Sequence, residues 1–134
     1  MKRKLTIIIA IVLSVIAGIA ITAKVVIGNM EANLEELKNI SIQNVDLTDV
    51  ADGIYFGEYT ALPVSAKVNV TVEGHRIKDV ELIEHMNGQG SGAEVIPATV
   101  VGKQTLQIDT ISGATYSSKV ILKAIENALN SAGK

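Results

Sequence analysis

Nineteen consecutive residues without a charge, LTIIIAIVLSVIAGIAITA at positions 5–23, decide the first question about this chain. An α-helix rises about 1.5 Å per residue, so a run of that length is what crossing a hydrocarbon core of about 30 Å requires. Lys2, Arg3 and Lys4 precede it. Basic residues gather on the cytoplasmic side of a span, which predicts a cytoplasmic N-terminus and an extracytoplasmic remainder. A cleaved leader is the competing reading. Its cleavage context, Ile21-Thr22-Ala23, places a bulky Ile at the −3 position, and the apolar run exceeds a usual leader core. A retained single-pass anchor is the expectation.

Beyond the span remain about 110 of the 134 residues, enough for one domain with one core. There is no Cys, hence no disulfide framework, Cys-based zinc site or thiol chemistry. Without the three leading basic residues, 9 Lys+Arg stand against 14 Asp+Glu, a net charge of −5. That sign argues against nucleic acid and against electrostatic docking on anionic lipid. One Phe, three Tyr and no Trp offer no stacking platform for bases.

The pattern predicts an α+β chain in three parts: a basic stub and anchor over 1–28, a stalk over 29–45, and one domain over 46–134. In the stalk, Leu34, Leu37 and Ile40 recur near helical spacing among acidic residues. Next, Val64, Ala66, Val68, Val70 and Val72 alternate with polar residues, the period of a half-buried strand. Glu73-Gly74 predicts a tight turn, and the returning strand carries Ile77, Val80, Leu82 and Ile83 as its apolar set. A strand opened by Asp52-Gly53 makes three consecutive antiparallel strands. The glycine-rich MNGQGSG at 86–92 ends the sheet, and Pro97 suits the first turn of a helix. TLQID at 105–109 reads as a short later strand. The last helix, from about Tyr116, lines up Ile121, Ala124, Ile125, Ala128 and Leu129 on one face, leaving Lys123, Glu126, Asn127 and Asn130 toward water.

Most catalytic patterns are missing. There is no metal-ligand spacing and no nucleophile elbow, so neither a metal site nor a catalytic residue is assigned. His75 sits at a turn, and His85 ends a strand beside the glycine loop. Gly88, Gly90 and Ala93 match a permissive dinucleotide fingerprint, but the strands before them are hairpin-linked rather than βαβ. The sequons at Asn39 and Asn69 read as chance. What stands out is DTISGATYSS at 109–118. Capping alone would use Ser112 or Thr115 as N-cap, with Gly113 making the turn. The same geometry offers a phosphate site: free amides at the helix start, small residues at Gly113 and Ala114, and the Thr115 hydroxyl as a point of esterification.

Here the chain resembles the FMN-binding domain of flavinylated membrane proteins, related to the FMN-bearing subunits of Na⁺-pumping quinone reductases and Rnf-type complexes. That family's motif, Asp-x-x-Ser/Thr-Gly-Ala-Thr, is matched by Asp109, Ser112, Gly113, Ala114 and Thr115. Also similar are the DG-x-Y-x-G stretch (Asp52, Gly53, Tyr55, Gly57), the hairpin, His85 with its glycine loop, and Lys103-Gln104. The resemblance implies FMN as cofactor, joined to Thr115 by a phosphoester, with Ser112, Gly113, Ala114, Asp109, His85, Gly90 and Gln104 as the cofactor-binding set. It implies a flavin transferase, dependent on FAD and Mg²⁺, for maturation and a membrane electron donor such as a quinol-linked reductase. It makes the domain an electron-transfer carrier more readily than a free-standing enzyme. A flavin-dependent reductase acting on a small acceptor, and a non-redox adhesion or scaffold domain, are the alternatives. The larger family members read Glu-Thr-Pro-Gly after the His, whereas this chain has Met86-Asn87-Gly88-Gln89-Gly90, which favours the small branch. Asp109 has two implied roles, orienting the acceptor loop or serving transferase recognition.

Overall fold

The computed structural model describes residues 1–133 and divides into two compact units, Met1–Ala32 and Asn33–Lys134. Helix α1, Lys2–Asn39, contains the uncharged run and is long and apolar enough to cross a membrane. Within the first unit its large apolar side chains, Ile8, Ile16 and Val26 among them, are exposed. Apolar residues on every side suit a helix whose solvent is lipid.

The second unit is built on a three-stranded antiparallel sheet in the order β1 (Gly53–Ala61), β2 (Val64–Glu73) and β3 (Arg76–Met86). The β2–β3 turn places Gly74 and His75 at φ of 57° and 59°, the left-handed pair a two-residue hairpin needs. Asp52 holds that turn from the side, its carboxylate accepting the Gly74 N–H at 2.8 Å. A 3₁₀ turn, Ser91–Val95, leads directly into α2, Ile96–Lys103, with Pro97 in its first turn. Helix α3, Thr115–Ser131, closes the fold.

Alternation on β2 puts Ala66, Val68, Val70 and Val72 on the inner face, all buried. The α3 stripe of Ile121, Ala124, Ile125, Ala128 and Leu129 is buried against it. Helix and sheet come close at Gly57, where a Cβ would lie 2.1 Å from the Ala124 carbonyl oxygen and 2.5 Å from the Ala128 nitrogen. Only a residue without a side chain fits there, which accounts for the second glycine of the DG-x-Y-x-G stretch. Tyr55 serves the same strand by donating its hydroxyl to the Ala51 carbonyl at 2.8 Å.

Four expectations differ from the structure, each through a contact distant in sequence. The segment 105–109 forms no strand. Its contacts are to the linker and to itself instead: Asn44 Oδ1 accepts the Leu106 N–H at 2.7 Å, the Gln107 side chain donates to the Ile42 carbonyl at 2.6 Å, and the Ile108 N–H turns back to the Leu106 carbonyl at 2.9 Å. Ile83 is 49% exposed, because a bulge sets Lys67 opposite Glu84 but Val68 opposite Leu82, leaving Ile83 as the extra residue. Glu126 is buried rather than solvated, paired with Lys123 at 3.0 Å and accepting the Gln43 N–H at 3.4 Å. Finally, the stretch read as a stalk contributes to the core: Leu37 is 1% exposed, and Leu34, Ile40, Ile42 and Val45 pack around it.

Truncating a buried Leu removes transfer free energy and leaves a cavity. Leu37→Ala is therefore expected to destabilise the second unit by roughly 2–5 kcal/mol. The measurement is the urea midpoint of the full chain in detergent, with Ile16→Ala, in the exposed run, leaving it unchanged.

Candidate functional site

The stretch 109–118 folds into a tight turn followed at once by α3. Ala114 donates its N–H to the Ile111 carbonyl at 2.9 Å, and Gly113 between them has φ of 79°. A residue with a side chain would be strained there, so the motif glycine is a requirement of the turn. Ser118 fastens the turn from inside. Its hydroxyl, fully buried, accepts the Ile111 N–H at 3.0 Å and donates to the Ala114 carbonyl at 2.8 Å.

The start of α3 departs from the capping expectation. Neither Ser112 nor Thr115 is the N-cap; that place belongs to Ala114, with no side-chain cap hydrogen bond. The first intrahelical bond runs from the Ser118 N–H to Ala114, which leaves the amides of Thr115, Tyr116 and Ser117 ahead of the helical ladder. An Ala at this position gives up roughly 0.5–2 kcal/mol relative to Ser, Thr, Asp or Asn. Thr115 itself is exposed, and its hydroxyl has no partner among the described residues.

These groups open on a cleft of about 140 Å³, lined by Gly113 to Ser117 together with Val64, Asn87, Gln89 and Gly90. The glycine loop reaches the helix at Gly90, where a Cβ would lie 2.2 Å from Ser117 Oγ. Gly90, Gly113, Ala114 and Thr115 of the expected set are thus brought together, with Ser112 on the same turn. Asn87, Gln89, Ser117 and Ser118 belong to the site as well. The first two lie in the loop flagged for its glycines, and the two serines directly follow the motif.

Three other residues lie apart. His85 is held off the cleft, its side chain 3% exposed and its Nδ1 3.0 Å from Glu94 Oε1. Asn87 donates to the same carboxylate oxygen at 3.3 Å, so Glu94 links the histidine to the cleft wall. Asp109 is exposed and lines a separate groove of about 350 Å³ with Thr110, Gln107, Ser41 and Lys119. Gln104 is committed elsewhere. It ends α2 at φ 55°, and its amide accepts the Ile77 N–H at 3.0 Å while donating to the Ile77 carbonyl at 2.7 Å. That side chain completes the open edge of β3 as a neighbouring strand would.

The cleft suits one part of the cofactor implied by the resemblance. Pockets that enclose a whole small-molecule ligand run to roughly 300–1,000 Å³. This one has room for a phosphate, and it presents uncapped amides with no carboxylate to repel an anion. Loss of the Ser118 clamp would strand the part-buried Ile111 N–H, at a cost of roughly 1–3 kcal/mol. Ser118→Ala is expected to lower the melting temperature accordingly and to speed hydrogen exchange at the Ala114 amide.

Comparison with known proteins bears on the same residues. The sequence profile of the FMN-binding domain matches residues 62–130, from the β1–β2 turn to the end of α3. The chain is 34% identical over 115 residues to the NADH:acrylate oxidoreductase of Vibrio harveyi, covering 78% of this chain and 11% of that protein. It is 32% identical over 69 residues to the urocanate reductase of Eggerthella lenta, covering 49% and 11%. An uncharacterized protein of Treponema pallidum (strain Nichols) is 24% identical over 123 residues, covering 90% and 34%. The chain thus spans between 11% and 34% of the length of these relatives. With a matching profile over β2, β3, the glycine loop and the α3 turn, the chain belongs to the FMN-binding domain family, and FMN is its cofactor.

Proposed function

We propose that this protein is a membrane-anchored, extracytoplasmic electron carrier with FMN joined to Thr115 through a phosphoester. The observation that carries the reading is the exposed Thr115 hydroxyl at the uncapped start of α3. Bound FMN supplies reversible uptake and release of electrons; the chain sets its position and exposure. Gly113 makes the turn that presents Thr115, Ser118 fixes that turn, and the α3 amides offset the phosphate charge.

Attachment needs a second protein. A flavin transferase would take FAD with Mg²⁺ and pass the FMN moiety to Thr115. The new bond joins Thr115 Oγ1 to the flavin-side phosphorus, the pyrophosphate bond of FAD breaks, AMP leaves, and the hydroxyl proton is released. Asp109, exposed on a groove separate from the cleft, is in this reading a contact for the transferase rather than for bound FMN. The anchor reading rests on the 5–23 run behind three basic residues, and the same charge bias supports an outer position for the domain.

The relatives named as an oxidoreductase and a reductase support a flavin-based redox role here. The chain matches 11% of each, and the substrate reduction in their names is said of those proteins. Electrons are proposed to come from a membrane donor such as a quinol-linked reductase.

Co-expression with a flavin transferase, followed by a denaturing gel viewed under ultraviolet light, tests the attachment. A fluorescent band is expected at 14.2 kDa. Thr115→Ser keeps it, Thr115→Val abolishes it, and a band surviving Thr115→Val overturns the assignment. Gln104→Ala keeps the band while lowering the melting temperature. Asp109→Asn slows labelling but leaves the absorption spectrum of the attached flavin unchanged.

A further inference from the structure

Two adjacent serines in the first turn of α3 are both buried and have opposite fates. Ser118 donates back to the carbonyl four residues earlier, as a helical serine ordinarily does. Ser117 is 1% exposed, and its Oγ has no hydrogen-bond partner. A buried hydroxyl left unpaired costs free energy that an alanine in its place would not. The glycine loop is nevertheless built around it: at Gly90, φ of −95° and ψ of 20° suit any residue, yet a Cβ would collide with Ser117 Oγ at 2.2 Å. Ser117 Cβ would lie 2.7 Å away as well, so Gly90 is required by the whole Ser117 side chain beside it and not by its own backbone.

In mid-helix, side chains two residues apart diverge. At this open first turn Thr115 and Ser117 line the same cleft. The cleft offers the free amides and the unpaired Ser117 hydroxyl, and none of its lining residues is a carboxylate, Lys or Arg. Uncharged donors without a cation match a single negative charge better than a double one. A phosphodiester carries one charge, whereas a phosphomonoester carries about −1.5 to −2 at pH 7.

We propose that Ser117 positions the phosphate of the flavin esterified to Thr115 by donating its hydroxyl hydrogen to a non-bridging phosphate oxygen, so that the cleft recognises the singly charged diester in preference to free, doubly charged FMN. This rests on Thr115 being the attachment point.

The test compares flavinylated full-length wild type and Ser117→Ala in detergent by ³¹P NMR and by the rate at which a phosphodiesterase releases FMN. Ser117→Ala is expected to accept FMN at Thr115 and, before labelling, to melt no lower than wild type. Its diester resonance shifts, and FMN release accelerates several-fold. Identical resonances and release rates in the two proteins would overturn the role of Ser117. So would a Ser117→Ala chain that is destabilised before labelling, since the hydroxyl would then serve the fold. In a separate arm, unlabelled Thr115→Val is titrated with free FMN. No saturable binding is expected at micromolar concentration, and tight binding overturns the preference for the diester. A wild-type chain carrying no phosphorus at Thr115 would instead overturn the attachment itself.

Discussion

Helix α3 lies so close to β1 that its backbone occupies the space a side chain at position 57 would fill. The other placements follow from that contact. With α3 seated over the valines of β2, its N-terminus reaches the end of the sheet where β3 runs into the glycine loop, and the loop closes against Ser117. The site is assembled from three segments distant in sequence, and one helix positions all of it. Burial of the α3 stripe supplies the driving force, while Gly57 sets how near the helix comes.

Periodic features of this fold were readable because periodicity is local. The alternation of β2 and the spacing of Ile121, Ala124, Ile125 and Ala128 each indicate a face without knowledge of the partner. The positions misread in the packing of the fold depend on distant contacts, whereas the α3 cap, misread as Ser112 or Thr115, is local. Glu126 looks solvated on a helical wheel, but the linker at Gln43 covers it. Segment 105–109 has strand composition, yet the side chain of Asn44 takes the Leu106 N–H and the Thr105 hydroxyl. No pattern within β3 announces the bulge that turns Ile83 outward.

The site was legible in a similar, partial way. Gly113, Ala114 and Thr115 follow from the chemistry of a helix start, and the structure gathers them with Gly90. Ser117 was readable only as a residue following the motif, because its missing hydrogen bond cannot be read from a string of residues. Other residues of the resemblance prove mechanical: Asp52 braces a turn, Gly57 admits the helix, and Gln104 closes a sheet edge. A shared sequence pattern marks residues that a fold needs as readily as residues that touch a ligand.

The cleft of about 140 Å³ at the head of α3 has a consequence for how such a domain exchanges electrons. Under the attachment proposed for Thr115, walls that close around a phosphate leave a three-ringed cofactor outside them, moored at one point. A group moored in that way presents its edges to solvent, and no lid must open before a partner meets it. Donor and acceptor can then approach from different directions, with selectivity resting on surfaces outside the cleft. On that proposal the fold is a mooring post, fixing where the cofactor is tied and leaving open which vessel comes alongside.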